Sequence, residues 1–103
     1  LSKNYFFKIL KMAKILADEN GSKLFFVYVP DYESFKFNQE NTLLNNTESF
    51  LKTLGVQFIN IHKEIMLQND NPMTFYPFGL PGHFNQKGYE FVSELILERT
   101  SAN

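Results

Sequence analysis

Two apolar runs that flank a segment of helical periodicity constrain the fold of this chain more than any other feature. Residues 24–29 form the first run, between a Gly-Ser pair and a Pro-Asp pair, and residues 56–61 form a second, less apolar run. Between them, apolar residues recur at helical spacing from Leu43 to Leu54, and Gly55 ends this segment. A strand, a helix and a strand in this order predict a parallel strand pair with a right-handed crossover. Because the first run does not alternate, it predicts a strand buried on both faces.

Further helices are predicted around this strand pair. The periodicity of apolar residues predicts two of them, over residues 3–19, where Asn20-Gly21 ends the helix, and over residues 86 to about 99. Residues 62–68 are long enough for one or two helical turns. Residues 31–41 and 70–82 are predicted to be loops, since they are polar or rich in proline and glycine. The order α-β-α-β-α indicates the α/β class, with a short parallel sheet flanked by helices.

The composition of the chain argues against several kinds of partner and of reaction. Ten basic and eleven acidic residues are spread along 103 residues, so nucleic acid is not expected as a partner. No stretch approaches the roughly 20 apolar residues of a membrane-spanning helix. The chain has no cysteine, which excludes disulfides, thiolate zinc sites and cysteine nucleophiles within it. The two histidines have no clustered carboxylates and make a poor zinc site, so no metal is expected. No other cofactor is expected either, and the sequence leaves the compartment open.

The start of the last helix is strongly signalled. Asn85 is a favoured N-cap residue, whose side chain can accept a hydrogen bond from the amide of Lys87 or Gly88. Phe84 and Tyr89 occupy the two positions of a hydrophobic staple around it. These signals predict a fixed position for the residue just ahead of the helix.

The segment around this helix start resembles the last motif of the SGNH (GDSL-like) hydrolases. Its core is His83-Phe84-Asn85-x-x-Gly88-Tyr89, in which a histidine, an asparagine and a glycine open the final helix. The resemblance implies a three-layer, flavodoxin-like fold, of which residues 1–103 would be a single partial domain from the C-terminal half. It also implies that His83 is a general base for ester chemistry, and that Asn85 and Gly88 hold the helix that positions it.

Aromatic residues of the two predicted loops are candidate pocket residues. They include Tyr32, Phe35, Tyr76 and Phe78. These side chains either line an acyl pocket or pack over the sheet edge, and the sequence leaves both alternatives open. The substrates that the resemblance implies are esters of a small molecule, a lipid or a carbohydrate. His62 is interpreted as a surface residue.

Two departures from the family pattern bear on activity. Leu80 stands three residues before His83, where the family carries the aspartate that orients the histidine and stabilises the imidazolium. Either another acceptor, such as a backbone carbonyl, orients His83, or catalysis is weak or absent. The Gly-Asp-Ser motif, with the oxyanion-hole glycine and asparagine of the family, is also missing from these residues. This chain alone is therefore predicted to be inactive.

Two functions follow from the sequence. The first is the C-terminal portion of an SGNH-type esterase or acyltransferase, in which His83 serves as general base. The second is a non-catalytic binding or assembly module that retains the fold. The start at Leu1, without a methionine, is a reason to expect a fragment. Because a two-stranded sheet leaves a strand edge exposed, we expect either a missing N-terminal half or a homodimer to cover it.

Overall fold

The structure is a computed structural model that describes residues 3–37 and 42–101. Its helices are α1 (Lys3–Glu19), α2 (Tyr32–Phe37), α3 (Thr42–Leu54), α4 (Ile61–Gln68) and α5 (Gln86–Ser101), and its strands are β1 (Phe25–Tyr28) and β2 (Gln57–Asn60). The two strands pair in parallel. The described residues are thus mostly helical with a short parallel sheet, which confirms the predicted α/β class.

The chain divides into two compact units. The first comprises Leu1–Phe26 and Asn41–Phe58, and the second comprises Val27–Glu40 and Ile59–Asn103. Each strand begins in the first unit and ends in the second, so the residues that follow the carboxyl ends of both strands belong to the second unit. In α/β proteins ligand sites lie at that end of the strands.

A small apolar core holds the first unit together. Leu10 of α1, Leu51 of α3 and Val56 are its buried centre. Partly buried side chains pack around them: Phe6, Phe7, Leu24, Phe26, Phe50, Leu54 and Phe58. The rings of Phe26 and Phe58 stack with 5.7 Å between their centroids. Because these two residues lie on neighbouring strands, their contact fixes which side chains of β1 and β2 face this core.

Glycines end both helices of the first unit, as the sequence predicts. The chain leaves α1 through Gly21 at φ 65° and α3 through Gly55 at φ 75°. Glycine adopts this left-handed conformation without the steric penalty of a side chain. After α3, the backbone amide of Val56 donates to the carbonyl of Leu51 at 3.0 Å. This bond satisfies a carbonyl of the last helical turn and brings the chain directly to β2.

The second unit is built around α4, α5 and two 3-10 turns at Pro72–Phe75 and Pro77–Gly79. Its fully buried side chains include Ile61, Ile65 and Phe75. Arg99 of α5 binds Glu64 of α4 with 2.9 Å between Nη2 and Oε1. Because the arginine is partly exposed, that ion pair contributes about 1 kcal/mol at most. Burial of apolar side chains is therefore the larger source of stability in this unit.

The structure corrects the predicted loop over residues 31–41. Residues 32–37 form the helix α2 instead, and residues 38–41 lie outside the described residues. Asp31 caps this helix, because its Oδ1 accepts from the amide of Ser34 at 2.9 Å and from the Ser34 hydroxyl at 2.7 Å. An aspartate at this position is an N-cap signal that the prediction overlooked.

The strand β1 is less buried than predicted. All four of its residues are half-buried, and the following residue, Val29, is exposed. Within the described residues β2 is the only strand that pairs with β1. The continuous apolar run indicated the strand itself correctly. Burial on both faces was wrong, because it depends on neighbours that a local pattern does not specify.

We predict that Leu51→Ala destabilises the chain by about 3–5 kcal/mol, because the shortened side chain leaves a cavity in the core of the first unit. Leu43→Ala on the same helix is the control, since Leu43 is 51% exposed whereas Leu51 is 0% exposed. The control should lower the free energy of unfolding by less than about 1 kcal/mol. Urea unfolding followed by circular dichroism measures both variants, and equal losses would contradict the assignment of Leu51 to the core.

Candidate functional site

Three hydrogen bonds fix Asn85 at the start of α5. Its Oδ1 accepts from the backbone amide of Gly88 at 2.9 Å, and its Nδ2 donates to the carbonyl of Thr74 at 2.8 Å. Its backbone amide donates to the carbonyl of Phe75 at 2.7 Å. The first bond has the N-cap geometry that the sequence predicts. The other two tie the helix start to the first 3-10 turn.

At Gly88 the first turn of α5 packs closely against Phe75 and Phe84. A Cβ atom on Gly88 would lie 2.8 Å from the carbonyl oxygen of Phe75 and 2.9 Å from Cβ of Phe84. Both distances are shorter than van der Waals contact, so a side chain at this position would push the helix away from the turn. Phe84 is buried, and its ring packs edge-on against Tyr89 with 5.8 Å between centroids. This pair is the predicted hydrophobic staple.

His83 lies directly before this helix with its side chain exposed. Its Nδ1 is 2.6 Å from the carbonyl oxygen of Phe84. A carbonyl can only accept, so Nδ1 carries the hydrogen and Nε2 keeps the lone pair of the neutral ring. The ring also lies nearly parallel to that of Tyr89, with 6.3 Å between centroids. His83 therefore offers Nε2 as a hydrogen-bond acceptor on a ring whose orientation is set by its neighbours.

The acceptor for Nδ1 of His83 is the backbone carbonyl of Phe84, and not the aspartate that the resemblance places three residues before the histidine. Leu80, at the position of that aspartate, is exposed. No Asp or Glu pairs with His83 within residues 3–37 and 42–101. Of the two alternatives that the sequence leaves open, the structure contains the backbone acceptor. A neutral carbonyl holds the tautomer, but it stabilises an imidazolium less than a carboxylate does.

An aromatic cluster follows the carboxyl ends of both strands in the second unit. We define it by its members, Tyr32, Phe35, His62, Tyr76 and Phe84. The ring centroids of Tyr76 lie 5.2 Å from Tyr32, 6.2 Å from Phe35 and 5.1 Å from Phe84. Since Phe84 is next to His83 in the chain, the cluster supports the backbone that carries the imidazole.

His62 is a member of this cluster that sequence reasoning missed. It is half-buried, and its ring stacks on Phe35 with 4.7 Å between centroids. Its Nε2 lies 3.2 Å from the carbonyl oxygen of Ser34, so in the neutral ring Nε2 carries the hydrogen. The interpretation of His62 as a surface residue did not foresee this contact, because Phe35 and Ser34 belong to a distant segment of the chain.

Three of the four candidate pocket residues come together, and the fourth does not. Tyr32, Phe35 and Tyr76 pack in the aromatic cluster, whereas Phe78 is 96% exposed. Phe78 has a φ of 55°, a left-handed conformation that costs free energy for a bulky side chain. The residue after Phe78 is Gly79, and its carbonyl accepts a hydrogen bond from the hydroxyl of Tyr32 at 3.0 Å. An acyl pocket in this region stays a prediction.

The hydroxyl of Tyr76 is the least satisfied polar group of the cluster. Tyr76 is 2% exposed, and within the described residues its hydroxyl has no hydrogen-bond partner. Burial and the negative charge of Asp31 raise the pKa of Tyr76 to about 12. The pKa of Asp31 is lowered, because the Ser34 hydroxyl and amide donate to its carboxylate. Sequence reasoning named Tyr76 as a candidate pocket residue but not as a buried phenol.

Comparison of this chain with known proteins finds no similar protein. No family model, no curated protein and no solved structure matches this chain. None of the described helices is both long and apolar enough to cross a membrane. The described residues also contain no group of three or more His, Asp or Glu side chains placed to hold a metal ion.

We predict that Tyr76→Phe stabilises the chain by about 1 kcal/mol near neutral pH, because it removes a buried hydroxyl without a partner. The raised pKa also predicts a pH dependence. Between pH 10.0 and about 12 the folded state retains a Tyr76 proton that the unfolded chain releases, so the stability of the wild type falls as the pH rises. The loss is up to about 2–3 kcal/mol, and the variant should lack it.

Urea unfolding of both proteins at pH 8 and pH 11 measures this difference. Tyr89→Phe is the control, because the Tyr89 side chain is 54% exposed and its hydroxyl is not needed in the core. A loss of stability in Tyr76→Phe at neutral pH would contradict the assignment, since it would mean that the hydroxyl makes a favourable bond in solution.

Proposed function

We propose that His83 is the general base of an SGNH-type site for ester hydrolysis or acyl transfer, to which this chain contributes the C-terminal part of a flavodoxin-like domain. The observation that carries the proposal is the hydrogen bond from Nδ1 of His83 to the carbonyl of Phe84 at 2.6 Å. It leaves Nε2 of an exposed ring as the proton acceptor. The sequence from His83 to Tyr89 supports the same assignment by resemblance.

The geometry fits the chemistry that a general base performs. Nε2 would take the proton of a serine hydroxyl while the serine oxygen attacks the ester carbonyl. The same nitrogen would return the proton to the leaving alcohol when the tetrahedral intermediate collapses. Nε2 must have its lone pair free when the serine attacks, and the bond from Nδ1 to the carbonyl of Phe84 favours that tautomer. The capped start of α5 keeps the ring in place between the two steps.

The proposal requires a nucleophile on another segment or another chain. These residues contain no Gly-Asp-Ser motif, so the serine and the oxyanion hole would come from outside them. It also requires catalysis without the usual carboxylate. Because Phe84 supplies the tautomer but no negative charge, the rate should be lower than that of a site with an aspartate at the position of Leu80.

A non-catalytic binding or assembly module is the second candidate. The observation that favours it is the exposed Leu80 in place of the acid, together with the lack of a carboxylate partner for His83 among the described residues. A binding module without catalytic activity would still need Asn85 and Gly88 to start α5. It would not need an imidazole at position 83.

The two candidates differ in what His83→Ala does in a protein that joins this chain to a Gly-Asp-Ser segment. If His83 is the base, the variant should lose at least about a hundredfold in the hydrolysis of p-nitrophenyl acetate. Labelling of the serine by a fluorophosphonate should fall with it. Gln86→Ala is the control, because Gln86 is exposed in the first turn of α5 and should leave both rates unchanged. Unchanged rates in His83→Ala would contradict the proposal and favour the binding module.

A further inference from the structure

The helix α1 has two apolar faces, and only one of them packs into the first unit. The inner face includes the buried Leu10. The second face, which we call the outer face, consists of Ile9, Met12, Ile15 and Leu16, whose side chains are 48% to 62% exposed. Together with Ala13 and Glu19 these residues line a groove of ≈ 460 Å³. Apolar side chains that gather on one exposed face in this way usually mark an interaction surface.

The spacing of the outer face fits a second helix as its occupant. Ile9, Met12, Leu16 and Glu19 follow one another at intervals of three, four and three residues. This alternation of threes and fours is the spacing with which two helices interlock along a seam, since it keeps the side chains on one line over successive turns. Three of the four positions on that line are apolar.

The charges of α1 identify the occupant and its direction. The helix has no acidic residue in its first turn and no basic residue in its last turn. Lys8 and Lys11 lie in its first half and Glu19 ends it, while Asp18 is paired within the helix with Lys14, with 2.8 Å between Oδ1 and Nζ. This distribution opposes the helix dipole, whose positive end favours acids and whose negative end favours bases. A second copy of α1 running antiparallel would place the basic half of each helix beside the acidic end of the other.

We therefore propose that the outer face binds the outer face of a second copy of this chain, with the two α1 helices antiparallel. A parallel pair would bring like charges and like dipole ends together, which disfavours it. The four side chains offer on the order of 200–300 Å² of apolar area per helix. Twice that area is well below the roughly 1,200 Å² of standard interfaces, so the dimer should be reversible and depend on concentration.

Sedimentation equilibrium of the full chain over a wide concentration range tests the interface. The wild type should move from monomer to dimer as the concentration rises. Met12→Lys places a charge in the seam and should weaken the dimer at least about tenfold, a difference of about 1.4 kcal/mol. Ser49→Lys adds the same charge at an exposed position of α3 instead of α1 and should dimerise as the wild type does. A monomer at every concentration, or a dimer that Met12→Lys leaves intact, would overturn the proposal.

Cysteine cross-linking tests the relative direction of the two α1 helices. Because the chain has no native cysteine, only the introduced cysteines can form disulfides. Chains with Ile9→Cys and chains with Glu19→Cys are mixed and oxidised. Antiparallel helices should give a disulfide mainly between the two different variants, because the two ends of the seam meet. Disulfides that form mainly between two copies of the Glu19→Cys chain would overturn the antiparallel arrangement. Circular dichroism of each variant checks that the helices are retained.

Discussion

The arrangement of the second unit depends on how Asn85 starts α5. Its side chain accepts from Gly88 and donates to Thr74, while its backbone amide donates to Phe75. These bonds hold the first helical turn against the preceding 3-10 turn at a distance that only glycine at position 88 permits. Phe84 is thereby directed into the aromatic cluster, and its carbonyl is left within reach of the His83 ring. One capped helix start thus determines both the packing of the cluster and the orientation of the imidazole.

Much of this fold follows from local signals in the sequence. The bounds of α1 and α3 could be predicted because apolar periodicity and the glycines at 21 and 55 act within a few residues. The start of α5 could be predicted for the same reason. The helix α2 could have been predicted as well, because the bond from Ser34 to Asp31 that caps it is local. Features that depend on distant residues could not be predicted, namely the partial exposure of β1 and the stacking of His62 on Phe35. The carbonyl that orients His83 belongs to the next residue, Phe84. Its contact with the ring could not be predicted, because no pattern of residue types is specific for it.

The candidate site combines a feature that favours catalysis with one that weakens it. A histidine with a fixed tautomer and an exposed Nε2 is what a general base requires. The missing carboxylate removes the charge that would stabilise the imidazolium during the reaction. The buried phenol of Tyr76 does not replace that charge, because its raised pKa keeps it neutral.

The outer face of α1 belongs to the first unit, and its proposed role in self-association holds whether or not His83 is catalytic. Association and chemistry can therefore be tested separately in the same chain.

The claim on which the functional account depends is the state of one ring nitrogen. Long-range ¹⁵N–¹H NMR correlations of the histidine rings, recorded where both imidazoles are neutral, distinguish the two tautomers directly. The account predicts that His83 carries its hydrogen on Nδ1 and His62 carries its hydrogen on Nε2, so that each histidine serves as the reference for the other. A His83 ring protonated on Nε2, or one that exchanges freely between the two forms, would contradict the account.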